Sequence, residues 1–283
     1  MRQLAVISGK GGTGKTVLTA CFASLAKNKV MIDCDVDAAD LHLILHPEIR
    51  ERHEFRSGKT AEINQENCIK CGQCKEICRF DAIAGEYYVD PVLCEGCNFC
   101  SYICPVKAIE MKENLSGEWF VSETEFGPLV HAKLGIAEEN SGKLVSKIRQ
   151  KASELAIEKK LDYVIIDGPP GVGCPVIASL SGVESVLVVT EPTLSGLHDA
   201  GRVIEVANHF NVPAKLVINK FDLNPSMTEQ IESFCHEKNI PVVGRIRFDK
   251  IVVESMVAGK TIVDFTDGPI ADEIRNIWHS FSA

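Results

Sequence analysis

The 283-residue sequence lacks an apolar run of the roughly 20 residues that a membrane-spanning helix requires. We also expect no signal peptide, because the apolar residues 4–7 and a glycine-rich segment follow directly on the first residues. Basic residues are the minority, with 30 Lys and Arg against 39 Asp and Glu and a net charge of −9. Binding to a nucleic acid backbone depends on clustered cations. We therefore expect a cytoplasmic protein that binds neither membranes nor nucleic acid.

Cysteine, in contrast, is abundant, with 12 residues. A reducing cytoplasm disfavours disulfides, so the spacing of the cysteines has to indicate their role. The eight histidines show no pairing at the spacing of a metal site, and no role is assigned to them.

Apolar, β-branched segments alternate with helical patterns outside residues 54–113. This alternation predicts an α/β fold with a mostly parallel sheet that is covered by helices on both faces. Functional loops are then expected at the carboxyl ends of the strands. Strands are predicted at 3–7, 30–33, 163–167, 185–190, 215–219 and 241–246. Helices are predicted at 15–27, 141–159, 175–180, 195–210, 226–238 and 269–281.

Residues 54–113 interrupt this alternation and contain eight of the 12 cysteines. They include an internal repeat, since residues 68–84 and 94–110 share their cysteine spacing and end with the similar sequences FDAIA and VKAIE. We predict two domains, one formed by residues 1–53 and 114–283 and the other inserted at 54–113. The chain is expected to return to the sheet through further strand residues near 119–130.

A glycine-rich P-loop lies between the first predicted strand and the first predicted helix, which is the context that such a loop needs to bind a nucleotide. Its backbone N–H groups and the helix N-terminus attract phosphate, whereas a merely flexible loop is the disfavoured alternative. Lys15 is expected to contact the β- and γ-phosphates, and the Thr16 hydroxyl to bind Mg²⁺. The predicted ATP- or ADP-binding residues are Gly9, Lys10, Gly11, Gly12, Thr13, Gly14, Lys15, Thr16 and Val17.

Acidic residues follow the second predicted strand. Asp35 and Asp37 are candidates for holding Mg²⁺ or its water and for orienting the attacking water, with Asp37 the better candidate for water. Asp33 and Asp40 are interpreted as capping or solvated residues.

The early lysine, Lys10, gives the loop the pattern GKGGxGKT. This pattern resembles the deviant P-loop of the MinD/ParA/nitrogenase-iron-protein class of ATPases, which have the SIMIBI type of P-loop NTPase fold. The resemblance implies an ATP-dependent homodimer in which Lys10 reaches the phosphates bound by the partner. A solvated lysine is the alternative.

The same resemblance covers nearly all of the chain outside 54–113. Residues 163–171 are similar to the Walker B strand and the second switch, which places Asp167 near Mg²⁺. Asn219 and Lys220 match the position where an Asn reads adenine, and residues 241–245 match the segment that follows it. Capping of its own strand end is the alternative for Asn219. The predicted catalytic residues are Lys10, Lys15, Asp35, Asp37 and Asp167, the Mg²⁺ ligands are Thr16, Asp35 and Asp167, and the adenine-side residues are Asn219, Lys220 and Arg245.

Both halves of the repeat have the cysteine spacing of bacterial ferredoxins. Three closely spaced thiolates reach three corners of one [4Fe–4S] cluster, and the more distant fourth cysteine serves the other cluster. We predict two clusters in an α+β ferredoxin-like domain; two four-cysteine zinc sites are the alternative, which this spacing suits less well. Arg79 stands where the first half would have a proline. The predicted ligands are Cys68, Cys71, Cys74 and Cys104 for the first cluster, and Cys94, Cys97, Cys100 and Cys78 for the second.

Cys174 follows Asp167 at a distance similar to that of the cluster-binding cysteine of the nitrogenase iron protein. A bridging cluster needs a second cysteine, and the sequence between the insert and Asp167 contains no unassigned one. We interpret Cys174 as a buried thiol at the head of a helix. Cys21, Cys34 and Cys235 are expected in the core.

The whole chain resembles MinD-superfamily ATPases that contain an inserted ferredoxin domain. We favour an ATP-gated electron carrier with a redox partner protein. The first alternative is an iron–sulfur cluster carrier of the Mrp kind, which delivers clusters to an apo-protein, although the C-terminal CxxC pair of that class is missing. The second is a regulatory switch with redox-sensing clusters. Membrane-binding switches end in a basic amphipathic helix, whereas residues 271–283 carry Arg275 as their one fixed cation.

Overall fold

The computed structural model describes residues 1–135 and 140–283. These residues form two compact units by their internal contacts. The first unit contains Met1–His53, Trp119–Lys133 and Ser141–Ala283, and the second contains Glu54–Glu118 and Leu134–Asn140. The second unit thus extends to Glu118, beyond the predicted 113, because one strand continues without a break from Ile109 to Thr124.

The strands are β1 (Arg2–Ser8), β2 (Lys29–Asp33), β3 (Glu48–Ile63), β4 (Ile83–Ala84), β5 (Tyr88–Val89), β6 (Ile109–Thr124), β7 (Gly127–Leu134), β8 (Tyr163–Pro170), β9 (Ser185–Thr190), β10 (Ala214–Asn219) and β11 (Val242–Ile246). The helices are α1 (Lys15–Leu25), α2 (Leu41–Leu45), α3 (Gln73–Ile77), α4 (Phe99–Ile103), α5 (Ser141–Glu158), α6 (Cys174–Leu180), α7 (Leu194–His209), α8 (Pro225–Glu237), α9 (Ile251–Val257), α10 (Ile262–Phe265) and α11 (Pro269–Ser282). A 3₁₀ turn follows β10 at Phe221–Leu223.

Nine strands form one sheet in the order β11-β10-β9-β1-β8-β2-β7-β6-β3. The neighbouring pairs from β11 to β7 are parallel. All six predicted strands and all six predicted helices are present, within a few residues of the predicted ends. The prediction of an α/β fold with a mostly parallel sheet is therefore confirmed.

Apolar side chains explain why these strands occupy the centre of the sheet. Every residue of β2 and β9 is buried, as are residues 4–8 of β1. Near-continuous apolar sequence suits strands that are covered on both faces. On one face, Phe22 of α1 lies against Trp278 and Phe281 of α11, with ring centroids 5.2 and 6.0 Å apart. This packing fixes α1, and with it the loop that precedes α1.

The register of the parallel strands brings several polar residues together at one edge of the sheet. Asp33 at the end of β2 lies opposite Asp167 of β8, and Val6 of β1 also lies opposite Asp167. The same edge receives the carboxyl ends of β9 and β10, because all these strands run in parallel. It is the edge at which open α/β sheets bind their ligands.

The second unit repeats one backbone pattern. The helices α3 and α4 begin after Gly72 (φ 85°) and Asn98 (φ 68°), which are both left-handed and occupy equivalent positions of the sequence repeat. β4 and β5 form a short antiparallel hairpin between the two halves. A small core holds the unit together; it comprises Ala61, Ile63, Cys74, Ile83 and Ile109, with partly buried cysteines packed against it.

Within the described ranges, no helix is long and apolar enough to cross a membrane.

Candidate functional site

The glycine-rich loop joins the buried strand β1 to the helix α1. Gly12 and Gly14 have φ values of 79° and 87°, a left-handed conformation that favours glycine. The missing side chain of Gly14 also makes room for Asn219, whose Nδ2 would lie 2.4 Å from a Cβ at that position. Asn219 Nδ2 donates to the carbonyl of Thr13 at 2.7 Å. The side chain of Asn219 therefore holds the loop from the end of β10.

Lys15 and Asp167 form a buried ion pair in the centre of this edge. Lys15 Nζ lies 2.9 Å from Asp167 Oδ1, and both side chains are almost completely buried. Burial acts against the ammonium, but the attraction of Asp167, with smaller effects of Asp33 and Asp35, leaves the pKa of Lys15 raised. Lys15 is therefore fully charged at neutral pH, as a phosphate-binding lysine has to be.

Two hydroxyl groups of α1 also contact Asp167. Thr16 Oγ1 donates to Asp167 Oδ2 at 2.8 Å, and Thr19 Oγ1 lies 2.9 Å from Oδ1. The carboxylate thus receives one ammonium and two hydroxyl donors. The predicted Mg²⁺ ligands Thr16 and Asp167 are in direct contact.

The carboxyl groups after β2 differ in their surroundings. Asp33 is buried, and its oxygens accept the backbone N–H groups of Asp35 and Leu41 at 3.1 Å each. It is therefore a capping residue as predicted, but it is not solvated. Burial and the neighbouring Asp167 raise the pKa of Asp33, and burial raises that of Asp35 to about 6. Asp37 is exposed, which is compatible with its predicted contact with water.

The early lysine, Lys10, contacts the start of α7 in its own chain. Its Nζ lies 3.3 Å from the hydroxyl oxygens of Thr193 and Ser195 and 3.8 Å from Glu191 Oε2. Glu191 also pairs with Lys220, whose Nζ donates to Oε1 at 2.5 Å. Glu191 therefore links two of the predicted nucleotide-binding residues.

The predicted adenine-side residues occupy the ends of β10 and β11. Asn219 Oδ1 accepts the N–H of Lys220 at 3.0 Å, so Asn219 caps its own strand in addition to holding Thr13. Arg245 is an exposed residue of β11 and pairs with Glu232 of α8 at 2.5 Å. Adenine binding by these residues stays a prediction.

The exposure of Cys174 differs from the expectation that it is a buried thiol. It is the first residue of α6, as predicted, but it is exposed rather than buried. The helix presents its amino end at the sheet edge, where Cys174 lies beside Gly142 of α5. Cys21, Cys34 and Cys235 are buried, which confirms their assignment to the core.

The eight cysteines of the second unit line two small cavities, which are open to solvent. Each cavity combines four cysteines with mainly apolar residues. The first is lined by Cys78, Cys94, Cys97 and Cys100, and the second by Cys68, Cys71, Cys74 and Cys104. Each set contains three cysteines of one repeat and the fourth of the other, which is the grouping predicted from the spacing.

All twelve cysteines are free thiols, so the eight cavity residues have the donor atoms that an iron–sulfur cluster requires. Cys71 and Cys97 are exposed, whereas the remaining six are buried or partly buried. Among the residues that the structure describes, no three His, Cys, Asp or Glu side chains converge as a site for a single metal ion.

The glycine-rich loop connects a parallel strand to a helix, and its lysine forms an ion pair with a buried aspartate of the neighbouring strand. These features define a P-loop nucleotide-binding protein. Comparison with known proteins agrees with this class. The chain belongs to the family of the CobQ/CobB/MinD/ParA nucleotide binding domain, whose sequence model matches residues 4–262. The predicted membership of the MinD/ParA superfamily is thereby confirmed.

Individual relatives span nearly the whole chain. Uncharacterized protein MJ0578 of Methanocaldococcus jannaschii is 35% identical over 281 residues, which cover 98% of this chain and 95% of that protein. The iron-sulfur cluster carrier protein of Pyrococcus abyssi is 24% identical over 292 residues, covering 97% of this chain and 83% of that protein. The septum site-determining protein MinD of Pyrococcus horikoshii, solved with Mg-ADP, has the same fold, with a TM-score of 0.60, 16% identity, and coverage of 99% of this chain and 95% of that one.

Sequence reasoning missed Thr19 and Glu191. Thr19 follows Thr16 by three residues, so it lies on the same side of α1, and this spacing was a usable signal. Glu191 directly follows β9, at the edge where parallel strands carry functional residues.

Proposed function

We propose that this protein is a Mg²⁺-dependent ATPase that dimerises with ATP and uses nucleotide binding to control electron transfer through two [4Fe–4S] clusters. The observation that carries the proposal is the sorting of the eight cysteines into two cavities of four, within a chain of a nucleotide-binding family. Electrons would come from a donor protein and pass to an acceptor protein.

The nucleotide half of the proposal uses residues that already contact one another. Lys15 neutralises the β- and γ-phosphates, while Thr16, Asp35 and Asp167 hold Mg²⁺. Asp37, which is exposed, orients the attacking water. These roles require Lys15 and Thr16 to exchange their contacts with Asp167 for contacts with the ligand.

The part of the proposal that concerns the clusters is supported by the four cysteine thiols that line each cavity. Iron–sulfur clusters supply one-electron redox chemistry when bound. The thiolates of each set hold the cluster, and the apolar lining, which includes Ile83 and Val89 in one cavity and Ile63 and Ile109 in the other, limits the access of water. The exposed Cys71 and Cys97 bring one thiolate of each set to the surface, where a partner protein can approach.

Continuity of the chain supports coupling between the two halves. Asp35 and Asp37 precede α2, and β3 follows α2 and ends at Ile63, five residues before Cys68. On the other side, β6 begins at Ile109, five residues after Cys104. A change at the predicted first switch therefore has a continuous covalent route, through α2 and β3, to the first cysteine loop.

A redox titration tests the proposal. The protein is purified without oxygen, iron and sulfide are counted, and the EPR signals are titrated with Mg-ADP and with a non-hydrolysable ATP analogue. We expect about eight iron atoms per chain and a potential that differs between the two nucleotides. A nucleotide shifts a potential only if it binds the two redox states differently; a shift of about 60 mV corresponds to roughly 1.4 kcal/mol for one electron. Identical potentials with a full iron complement would contradict ATP gating, and a protein without iron would contradict the cluster assignment.

Lys10→Ala tests the ATP-dependent dimer. We expect nearly unchanged ATP binding, because Lys10 contacts Glu191, Thr193 and Ser195 of its own chain rather than the groups around Lys15. We expect loss of the dimer that forms with the ATP analogue, measured by sedimentation velocity.

Lys159→Ala is the matched control, since it removes an exposed lysine that also pairs with a glutamate, Glu123 at 2.8 Å, but lies outside the predicted nucleotide site, and it should leave the dimer intact. If Lys10→Ala still dimerises as the wild type does, the cross-subunit role of Lys10 is wrong.

A second candidate function is delivery of iron–sulfur clusters to apo-proteins. It is favoured by the similarity to the Pyrococcus abyssi protein named iron-sulfur cluster carrier protein. The discriminating measurement is the transfer of iron to an apo-ferredoxin in the presence of a chelator, with and without Mg-ATP. Rapid transfer would favour the carrier function, and retention of both clusters would favour electron transfer.

A further inference from the structure

The three donors on Asp167 do not have equal roles once a nucleotide binds. Lys15 and Thr16 are the residues that turn to the phosphates and to Mg²⁺ in the proposed function. Thr19 is the remaining donor, with its Oγ1 2.9 Å from Asp167 Oδ1. Thr19 is fully buried, one helical turn beyond Thr16 on α1, so the phosphates have no access to it.

The Thr19 hydroxyl has a choice of two acceptors. Besides Asp167 Oδ1, the carbonyl of Lys15 lies 3.0 Å from its Oγ1, and the hydroxyl has one proton to donate. A carboxylate oxygen is a stronger acceptor than a backbone carbonyl, so the proton is directed to Asp167. The backbone carbonyl then helps to fix the position of the oxygen atom.

The side chain opposite Asp167 on the neighbouring strand belongs to Asp33, which is a carboxyl group and neither an ammonium nor a hydroxyl. Asp33, opposite Asp167 in the register, presents a carboxyl group whose oxygens are occupied by the backbone N–H groups of Asp35 and Leu41. Rotation of Asp167 toward β2 would bring two carboxyl groups together. The orientation of Asp167 toward α1 therefore depends on the donors of α1.

We propose that Thr19 is a positioning residue that keeps the carboxylate of Asp167 oriented for Mg²⁺ while Lys15 and Thr16 move to the nucleotide. This inference rests on the proposed function, in that Asp167 serves Mg²⁺. It predicts that Thr19 contributes to the Mg²⁺-dependent part of nucleotide affinity and hardly to the Mg²⁺-independent part.

Thr19→Val tests the inference, because valine keeps the shape and removes the hydroxyl. The dissociation constant for a non-hydrolysable ATP analogue is measured with Mg²⁺ and with EDTA. In EDTA we expect the wild-type value within about twofold, whereas the gain in affinity on adding Mg²⁺ should fall about tenfold, as expected for a lost hydrogen bond to a charged group. Thr19→Ser, which restores the hydroxyl, should restore the Mg²⁺ effect.

Thr228→Val is the matched control, since it removes another buried hydroxyl, which donates to the carbonyl of Phe221 at 2.8 Å. It should leave the Mg²⁺ effect unchanged. If Thr19→Val does not fold, Thr19→Ala replaces it in the same assay. A full Mg²⁺ effect in the hydroxyl-free variant, or an equal loss in Thr228→Val, would overturn the inference. A wild-type protein that binds the analogue equally well with and without Mg²⁺ would instead contradict the proposed function.

Discussion

Lys15→Ala is expected to abolish nucleotide binding. The Lys15 ammonium lies between Asp167 and the Thr16 hydroxyl. In the proposed function it makes at least two charge-assisted contacts with the phosphates, which the substitution would remove. At about 1.5–3 kcal/mol each, these contacts amount to a loss of affinity of at least about 100-fold. Isothermal titration calorimetry with Mg-ATP measures the effect. Binding at the wild-type affinity would show that the loop does not bind phosphate through Lys15.

The same substitution has a second expected effect, on stability. It leaves the Asp167 carboxylate buried without its counter-charge, and breaking a buried pair in this way costs about 3–5 kcal/mol. The double variant Lys15→Ala/Asp167→Asn removes the unpaired charge and should recover much of the stability, measured by urea unfolding. It should still fail to bind nucleotide, so the two measurements separate misfolding from loss of the binding site.

Serine substitutions in the two cavities are expected to remove one cluster at a time. Cys71→Ser and Cys104→Ser should lose the same EPR signal, because both residues line the second cavity. Cys97→Ser and Cys78→Ser should lose the other signal, because both line the first cavity. In each variant the iron content should fall from about eight to about four atoms per chain.

Cys174→Ser is the matched control, since Cys174 is exposed but lies outside both cavities, and it should retain all the iron. If Cys104→Ser resembled Cys97→Ser instead of Cys71→Ser, the exchange of the fourth cysteine between the repeats would be wrong. Loss of both signals on any single substitution would show that the unit folds only when fully loaded, and would contradict independent cavities.

Much of the nucleotide-binding fold was predictable because its strands are apolar and its helices amphipathic. β3 was missed for the opposite reason, since residues 48–60 are mostly charged or polar. Charged side chains are typical of an edge strand, and β3 is the last strand of the sheet order. The short helices α2, α9 and α10 have too few residues to show a period of 3.6.

The candidate site was predictable where a spacing determines the chemistry. The loop around Lys15 and the sorting of the eight cysteines both follow from short motifs. The contacts of Lys10 were not predictable, because Glu191 and Thr193 lie more than 180 residues further along the chain and meet Lys10 only through the sheet register. The exposure of Cys174 likewise depends on what surrounds the start of α6, which its own sequence does not specify.

The exchange of one cysteine between the repeats has a consequence for the origin of this unit. A solitary copy of the repeat supplies three thiols to one cavity and a single thiol to the other, so it completes neither. Two separate copies would complete both cavities only by meeting as a symmetric pair. Tandem duplication makes that meeting intramolecular, at an effective concentration of the order of millimolar for a short connection. Assembly of the two cavities is thereby independent of how much protein the cell contains.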